Sequence, residues 1–366
     1  MPPRAEAPVT TIRARAYTVP TDAPEADGTF AWTDTTLVVV EVEGGGMTGL
    51  GYTYSNASIT HLITGALAKV VTGIDALDSP QAWAAMQHAV RNMGAAGLAA
   101  TAISAVDAAI WDLKAKLLDL SLALLLGRAR DAVPLYGSGG FTTYSDEQMR
   151  NQLGTWVDRD GCRAVKIKIG TQPDGDPHRV KVAREAAGKA ELFIDANGAF
   201  SAKQALRYAH LYKEQDVRWF EEPVSSDDLP GLALLRREGP PGMDIAAGEY
   251  GFTLDYFERM LAGGAIDCQQ ADATRCGGIT GFLRVAALCD AHGVDLSGHC
   301  APAIHLHVAC AAPRLRHLEW FHDHVRIEQM LFEGAPVACD GVIRPDLSRP
   351  GHGLAFKQAD AEPYAV

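Results

Sequence analysis

The 366-residue sequence has no cysteine framework. Its seven cysteines (Cys162, Cys268, Cys276, Cys289, Cys300, Cys310 and Cys339) are odd in number and include no C-x-x-C pair, which excludes a disulfide scaffold or a zinc ribbon and predicts reduced core thiols. Positive charge is also scarce. Lys and Arg total 33 against 45 Asp and Glu, a formal net charge of -12, so neither nucleic acid nor an anionic membrane is expected as a partner. Long apolar runs are missing too: the longest, Leu122 to Leu126, is far short of a bilayer span, and Met1 to Thr10 holds no apolar stretch of signal-peptide length. A cytoplasmic protein is expected.

What is present is globular. Hydrophobic residues at 47% and charged residues at 21% leave room for a large core, and the length calls for a barrel with additions or two packed domains. Between about 9 and 55, the run Thr36 to Glu43, the glycines 44 to 46 and the segment Gly49 to Tyr54 read as a hairpin. From about 58 to 127 the pattern turns helical and Ala-rich, with Trp83, Met86 and Val90, then Ile103, Val106, Ile110 and Leu113, at helix spacing. A sheet followed by helices makes an α+β domain. Beyond Gly127, eight short apolar strands recur, each with a helix-length stretch after it. They are Val133–Tyr136, Ala164–Ile169, Leu192–Ile194, Val217–Phe220, Asp244–Ala247, Ile266–Gln270, Val294–Ser297 and His317–Trp320. This alternation predicts an α/β fold, a modified TIM-type barrel written (β/α)7β. The expected organisation is a capping domain over 1–130, a catalytic barrel over 131–340, and a Gly/Pro-rich tail, 341–366, returning to the cap.

The ionisable residues fall in a pattern. Lys168, Asp195, Glu221, Glu249, Asp272, His299 and Glu319 lie at or just beyond predicted strand ends, with gaps of 27, 26, 28, 23, 27 and 20 residues. One strand, one helix and two loops have about this length, so all seven converge on one mouth. Asp195, Glu221 and Glu249 on consecutive strands would repel unless they share a cation or take up protons; hard oxygen ligands favour Mg2+, with Mn2+ as a substitute. In Val165–Ile169 the period of two puts Lys166 and Lys168 on one face, into the barrel. Two such partly dehydrated ammonium groups depress each other's pKa, tuning a lysine to act as a base at about pH 7–8. Asp272 and His299 end neighbouring strands, where a carboxylate can orient an imidazole. His305 and His307, two apart in a helix, do not share a face and read as packing or surface residues.

Lys166-x-Lys168, Asp195-x-Asn197, Glu221-Glu-Pro223, Gly248-Glu249, the stretch Asp272 to Thr280, His299 and Leu318-Glu319 resemble the mandelate racemase subgroup of the enolase superfamily in order and spacing. The likeness covers nearly the whole chain. It implies that Mg2+ on Asp195, Glu221 and Glu249 binds the carboxylate of a small-molecule substrate while a base removes the adjacent proton to give an enediolate. By the same resemblance Lys168 serves one face of the substrate and His299, supported by Asp272, the other. Lys166, Asn197 and Glu319 would contact substrate, with Lys166 and Glu319 stabilising oxyanion charge. A loop between about Pro20 and Trp32 would close over the mouth, and a homo-oligomer is expected.

Bases on both faces leave two outcomes: dehydration of a sugar acid to a 2-keto-3-deoxy acid, favoured because it is frequent in the subgroup, and racemisation or epimerisation of a 2-hydroxy acid or related carboxylate. Muconate-type cycloisomerases and dipeptide epimerases place a lysine on the sixth strand, and residues 262–283 contain none. A non-catalytic barrel scaffold is the remaining alternative, weakened because no catalytic position is missing. Gly49-Leu-Gly51 alone does not make a nucleotide site.

Overall fold

Strand-forming residues open the chain. In the computed structural model, which describes residues 6–366, Val9–Ala26 (β1), Ala31–Gly44 (β2) and Met47–Tyr54 (β3) form an antiparallel sheet in the order β1-β2-β3. The expected hairpin is β2–β3. β1 and β2 run on beyond it as a ribbon, in which Glu25 pairs with Trp32 and Ala26 with Ala31 after a register shift following Pro20. The segment expected as a closing loop is therefore mostly strand, with its tip at residues 27–30. Pro20 and Pro24 hide this in the sequence, because proline argues against a strand except at edges and bulges.

Helices cover one face of this sheet. Val38, Val40 and Val42 of β2 share a core with Ile103, Val106, Ile110 and Leu113 of the helix Leu98–Leu117. Gly49 and Gly51 let that helix approach: a Cβ on either would stand 2.1 or 2.2 Å from the carbonyl oxygens of Ala109 and Ala105. Their purpose is close packing of backbone on backbone.

The remainder closes into a barrel of eight parallel strands: Val133–Gly139 (β4), Ala164–Lys168 (β5), Glu191–Asp195 (β6), Val217–Glu221 (β7), Asp244–Ala247 (β8), Cys268–Ala271 (β9), Asp295–Gly298 (β10) and Leu315–Phe321 (β11). Each strand pairs with the next, and β11 pairs back onto β4. All eight expected strands are found within a few residues of their forecast positions. A helix follows every strand, including His322–Leu331 after β11. That last helix is tied to the capping sheet, where the Tyr52 hydroxyl donates to Glu328 at 2.6 Å.

Tyr136, Phe193, Trp219 and His317 fill the lower barrel, with Phe193 and Trp219 stacked at 5.3 Å. This aromatic floor confines polar chemistry to the C-terminal rim. The tail pairs Val342–Ile343 with β4 and Ala355–Phe356 with Phe332–Glu333, and the Val366 N–H donates to Ala16 of β1. Among the described residues no helix is long and apolar enough to cross a membrane.

Candidate active site

Register sets the height of the acidic residues. Lys168, Asp195 and Glu221 are partners across β5, β6 and β7, so they project at one level at the strand ends, and Glu249 follows β8 by two residues. One oxygen from each of Asp195, Glu221 and Glu249 lies within 4.8 Å of the others, and all three side chains are buried. Val165 and Ile167 face the helix layer while Lys166 and Lys168 point inward, as the strand period requires. Lys166 donates to Glu221 and sits 2.8 Å from Glu319; Lys168 donates to Asp195.

Burial lowers both lysine pKa values, yet both end well above the ordinary range. For Lys166 the opposing carboxylates are Glu221, Glu319 and Asp195; for Lys168, Asp195 leads. The mutual depression expected of the two ammonium groups is present but outweighed: Lys166 pushes Lys168 down less than Asp195 pulls it up. Burial carries Glu221 the other way, up to about 8. Three dehydrated carboxylates converging on one point form a hard-oxygen donor set, which fits a divalent cation such as Mg2+ or Mn2+. One buried oxygen of the set agrees: Glu249 Oε2 has no well-directed hydrogen bond.

The opposite side of the mouth is built differently. Asp272, one residue beyond β9, accepts His299 Nδ1 at 2.8 Å on one oxygen, and the Thr274 N–H and hydroxyl, both at 2.7 Å, on the other. Burial raises the Asp272 pKa, but His299, His305 and Arg275 pull it well below the usual carboxylate range. His299 is held well above its ordinary value: burial opposes the charged form, and the carboxylates of Glu249, Glu319 and Asp272 more than compensate. Its free nitrogen, Nε2, lies 3.2 Å from Glu249 and 3.6 Å from Glu319. Glu319 lies inside β11 rather than at its end, because that strand extends to Phe321 to pair with β4.

The structure thus brings Lys166, Lys168, Asp195, Asn197, Glu221, Glu249, Asp272, His299 and Glu319 to one rim. Asn197 adopts φ of 45° and its side-chain oxygen is buried without a partner. His305 and His307 are both buried. His305 accepts the Ala273 N–H at 2.7 Å, bracing the Asp272 turn from behind, and His307 accepts the Ala123 N–H. The thiols are free, six of them buried and Cys339 exposed.

Sequence reasoning missed Arg275, which bridges the two sides with nitrogens 3.5 Å from Glu249 and 3.6 Å from Asp272. It stands in the quoted stretch after Asp272, but its direction depends on a turn that a strand-end pattern does not describe. A cavity of about 420 Å3 opens above these groups, faced by Lys168, Glu249 and His299 from the barrel and by Phe30, Trp32 and Tyr54 from the cap. The ribbon tip comes down beside it at Gly28, where a Cβ would meet the carbonyl oxygens of Ala196 and Ile169 at 2.2 and 2.6 Å.

With this geometry in place, comparison with known proteins decides the family. Residues 11–127 match the family described as "Mandelate racemase / muconate lactonizing enzyme, N-terminal domain", and residues 148–361 match "Enolase C-terminal domain-like". The chain belongs to the mandelate racemase/muconate lactonizing enzyme family of the enolase superfamily. Among characterised members it is similar to the 3,6-anhydro-alpha-L-galactonate cycloisomerase of Streptomyces coelicolor, 32% identical over 94% of this chain and 96% of that one. It is also similar to the L-talarate/galactarate dehydratase of Salmonella typhimurium, 34% identical over 79% and 75%. A mandelate racemase/muconate lactonizing enzyme-like protein from Rubrobacter xylanophilus superimposes with a TM-score of 0.96 at 50% identity, over 98% of this chain and all of the other. A racemase from Streptomyces coelicolor with bound magnesium gives 0.92 at 31%, over 98% and 100%.

Proposed function

We propose that this family member is a Mg2+-dependent lyase that removes the proton next to a substrate carboxylate and dehydrates a sugar acid to a 2-keto-3-deoxy acid. The observation that carries the reading is the convergence of three hard carboxylates, Asp195, Glu221 and Glu249, between two groups able to take or give a proton, Lys168 and His299. The named relatives act on sugar acids, and some family structures hold magnesium. Bound there, Mg2+ supplies positive charge that draws the substrate carboxylate in, favours the enediolate and offsets the carboxylates that keep Lys168 protonated.

The chain's own residues then divide the work. Lys168 takes the α-proton from one face. His299, protonated and held in one orientation through Nδ1 by Asp272, gives a proton from Nε2 to the departing β-hydroxyl, which leaves as water. Lys166 sits beneath the acids and stabilises developing oxyanion charge. Glu319 was expected to share that task. Burial raises its pKa, but Lys166 and His299 hold it well below the usual range, and an ionised carboxylate only accepts hydrogen bonds, so its role in this reading is to position Lys166. Residues 1–130 act as the cap, 131–340 as the barrel and 341–366 as the strap returning to the cap. Six buried, unpaired thiols suit a reducing, cytoplasmic setting.

A second reading, racemisation or epimerisation, is favoured by the same pairing of bases, since reprotonation by His299 on the far face inverts the centre. The test is a panel of sugar acids incubated with enzyme and Mg2+ in D2O. Production of 2-keto acid supports dehydration, and deuterium exchange with inversion and no keto product supports the second reading. Absence of both exchange and product would overturn the enzymatic assignment.

A further inference from the structure

One thiol stands inside the site without a task in the proposed reaction. Cys300 follows the base directly, and its Sγ lies 3.2 Å from His299 Nε2 and 3.2 Å from Glu319 Oε2; those two atoms are 3.6 Å apart. All three residues are buried. A tetrahedral Zn2+ with a nitrogen at ~2.0–2.1 Å, an oxygen at a similar length and a sulfur at ~2.3 Å has donor–donor edges of roughly 3.3–3.6 Å. The observed triangle fits those edges with shifts of a few tenths of an ångström.

The position of the thiol is enforced by the backbone. Cys300 and Ala301 adopt φ of 51° and 39°, and the Cys300 N–H donates to Glu319 Oε2 at 3.0 Å, which turns the side chain back towards the imidazole. We propose that His299, Cys300 and Glu319 form a second metal site, selective for borderline-soft divalent ions such as Zn2+, whose occupation switches the enzyme off by capturing the nitrogen that His299 uses for proton transfer.

The donor set separates this site from the one formed by Asp195, Glu221 and Glu249. Mg2+ prefers oxygen and disfavours thiolate, whereas imidazole, thiolate and carboxylate together suit Zn2+. Charge agrees as well: a dication with one thiolate, one carboxylate and a neutral imidazole is neutral overall, which a buried site tolerates. On binding, the S–H proton of Cys300 and the Nε2 proton of His299 leave to solvent, two metal–ligand bonds form in their place, and no redox change occurs. The cavity side remains open for water as the fourth ligand. Glu249, 3.2 Å from the same nitrogen, stays with the hard site.

The inhibition rests on the proposed role of His299, but binding does not, so the two are read separately. The full-length enzyme saturated with Mg2+ is titrated with Co2+ as a spectroscopic stand-in for Zn2+. The expected result is one further equivalent bound, with a thiolate-to-cobalt charge-transfer band that disappears in Cys300→Ser and persists in Cys339→Ser, the exposed thiol serving as control. Zn2+ should also inhibit formation of the 2-keto acid, the step that needs the His299 proton, with the half-inhibiting concentration raised about tenfold or more in Cys300→Ser. Cys300→Ala repeats the measurement if the serine variant is poorly folded by circular dichroism. A missing band, a band retained in both Cys300 variants, or a band lost in Cys339→Ser overturns the site. An enzyme that shows the band but turns over no sugar acid retains the metal site and loses only the proposed reaction.

Discussion

The two sides of the barrel mouth handle buried charge in opposite ways. On β5 to β7, Lys166 and Lys168 meet Asp195 and Glu221 in direct ionic contact, while Glu249 beyond β8 reaches across to Arg275 and His299. On β9 and β10, Asp272 accepts from His299 on one oxygen and from the Thr274 N–H and hydroxyl on the other, and the helices that follow are held from other elements. Asp107 accepts the Thr280 N–H and hydroxyl at the start of Gly278–His292, while the Tyr52 hydroxyl and Glu328 accept the Ile304 and Ala303 N–H groups at the start of Pro302–Ala311. In the proposed reading the first side is completed by an ion, the second by the protein. Asp195 accepts from Lys168 and the Asn197 N–H, and Glu221 from Lys166 and the Trp219 indole, so these ligand candidates are oriented by the protein as Asp272 is, and Glu249 Oε2 is the oxygen left without a well-directed donor.

Removing a ligand should produce the largest loss. In Glu221→Gln, Lys166 keeps Glu319 as a partner, so folding should survive. Mg2+ affinity should fall sharply, and with it several kcal/mol of charge stabilisation, ~10^4-fold in kcat/KM. Calorimetric titration with Mg2+ and circular dichroism on the same sample check this. Unchanged Mg2+ affinity would remove Glu221 from the metal set.

Asp272→Asn probes the other side and should separate from the first result. Metal binding should stay nearly as it was, while kcat drops by about 10^2- to 10^3-fold. That is less than the ~10^4-fold known for an orienting carboxylate in a triad, because Lys168 carries part of the chemistry. A large loss of Mg2+ affinity would place Asp272 among the ligands and erase the contrast.

The contrast also shows what the sequence could disclose. Strand ends were legible because β-strands here are short apolar runs at regular intervals, and a side chain's place at a strand end fixes which way it projects. Lys168, Asp195, Glu221 and His299 were found on that logic. Arg275, Thr274 and Asp107 were not, because their directions come from a turn and from contact with a distant helix, neither of which leaves a periodic trace. The ribbon was obscured by Pro20 and Pro24, and the lysine pKa values by neighbours on other strands: spacing placed Lys166 beside Lys168 without weighing Asp195 and Glu319 against them.

A smaller effect is expected at the ribbon tip. Gly28→Ala would drive a methyl group into the Ala196 and Ile169 carbonyls, lifting the tip from the mouth. KM should rise, by about tenfold, and Tm should fall modestly, because lifting the tip also loosens the hydrogen bonds that Thr142 and Thr171 donate to the Ala26 and Asp27 carbonyls and that Thr29 donates to the Asn197 carbonyl. A fall in kcat at constant KM would mean that the ribbon shapes the chemistry rather than access.

The smallest effect concerns Asp107, which links the cap to the helix behind the Asp272 turn. Burial raises its pKa to about 7 despite the hydrogen bonds from Thr280 that favour the anion. Its native form therefore keeps a proton that the unfolded chain has already released. Between the unfolded pKa, about 4, and about 7, the native state binds more protons, so this group's contribution to stability is full at low pH and declines as pH rises to about 7. Asp107→Asn resembles the protonated side chain and cannot ionise. Relative to the unchanged protein it should be level or slightly less stable at pH 5, and should gain on it by pH 8, a relative shift in Tm of roughly 2–4 °C. Melting both proteins at the two pH values gives the answer, and an offset independent of pH would show that Asp107 is ionised throughout. The helix would then be held by a charge rather than by a neutral hydrogen bond, and both sides of the mouth would rest on buried anions.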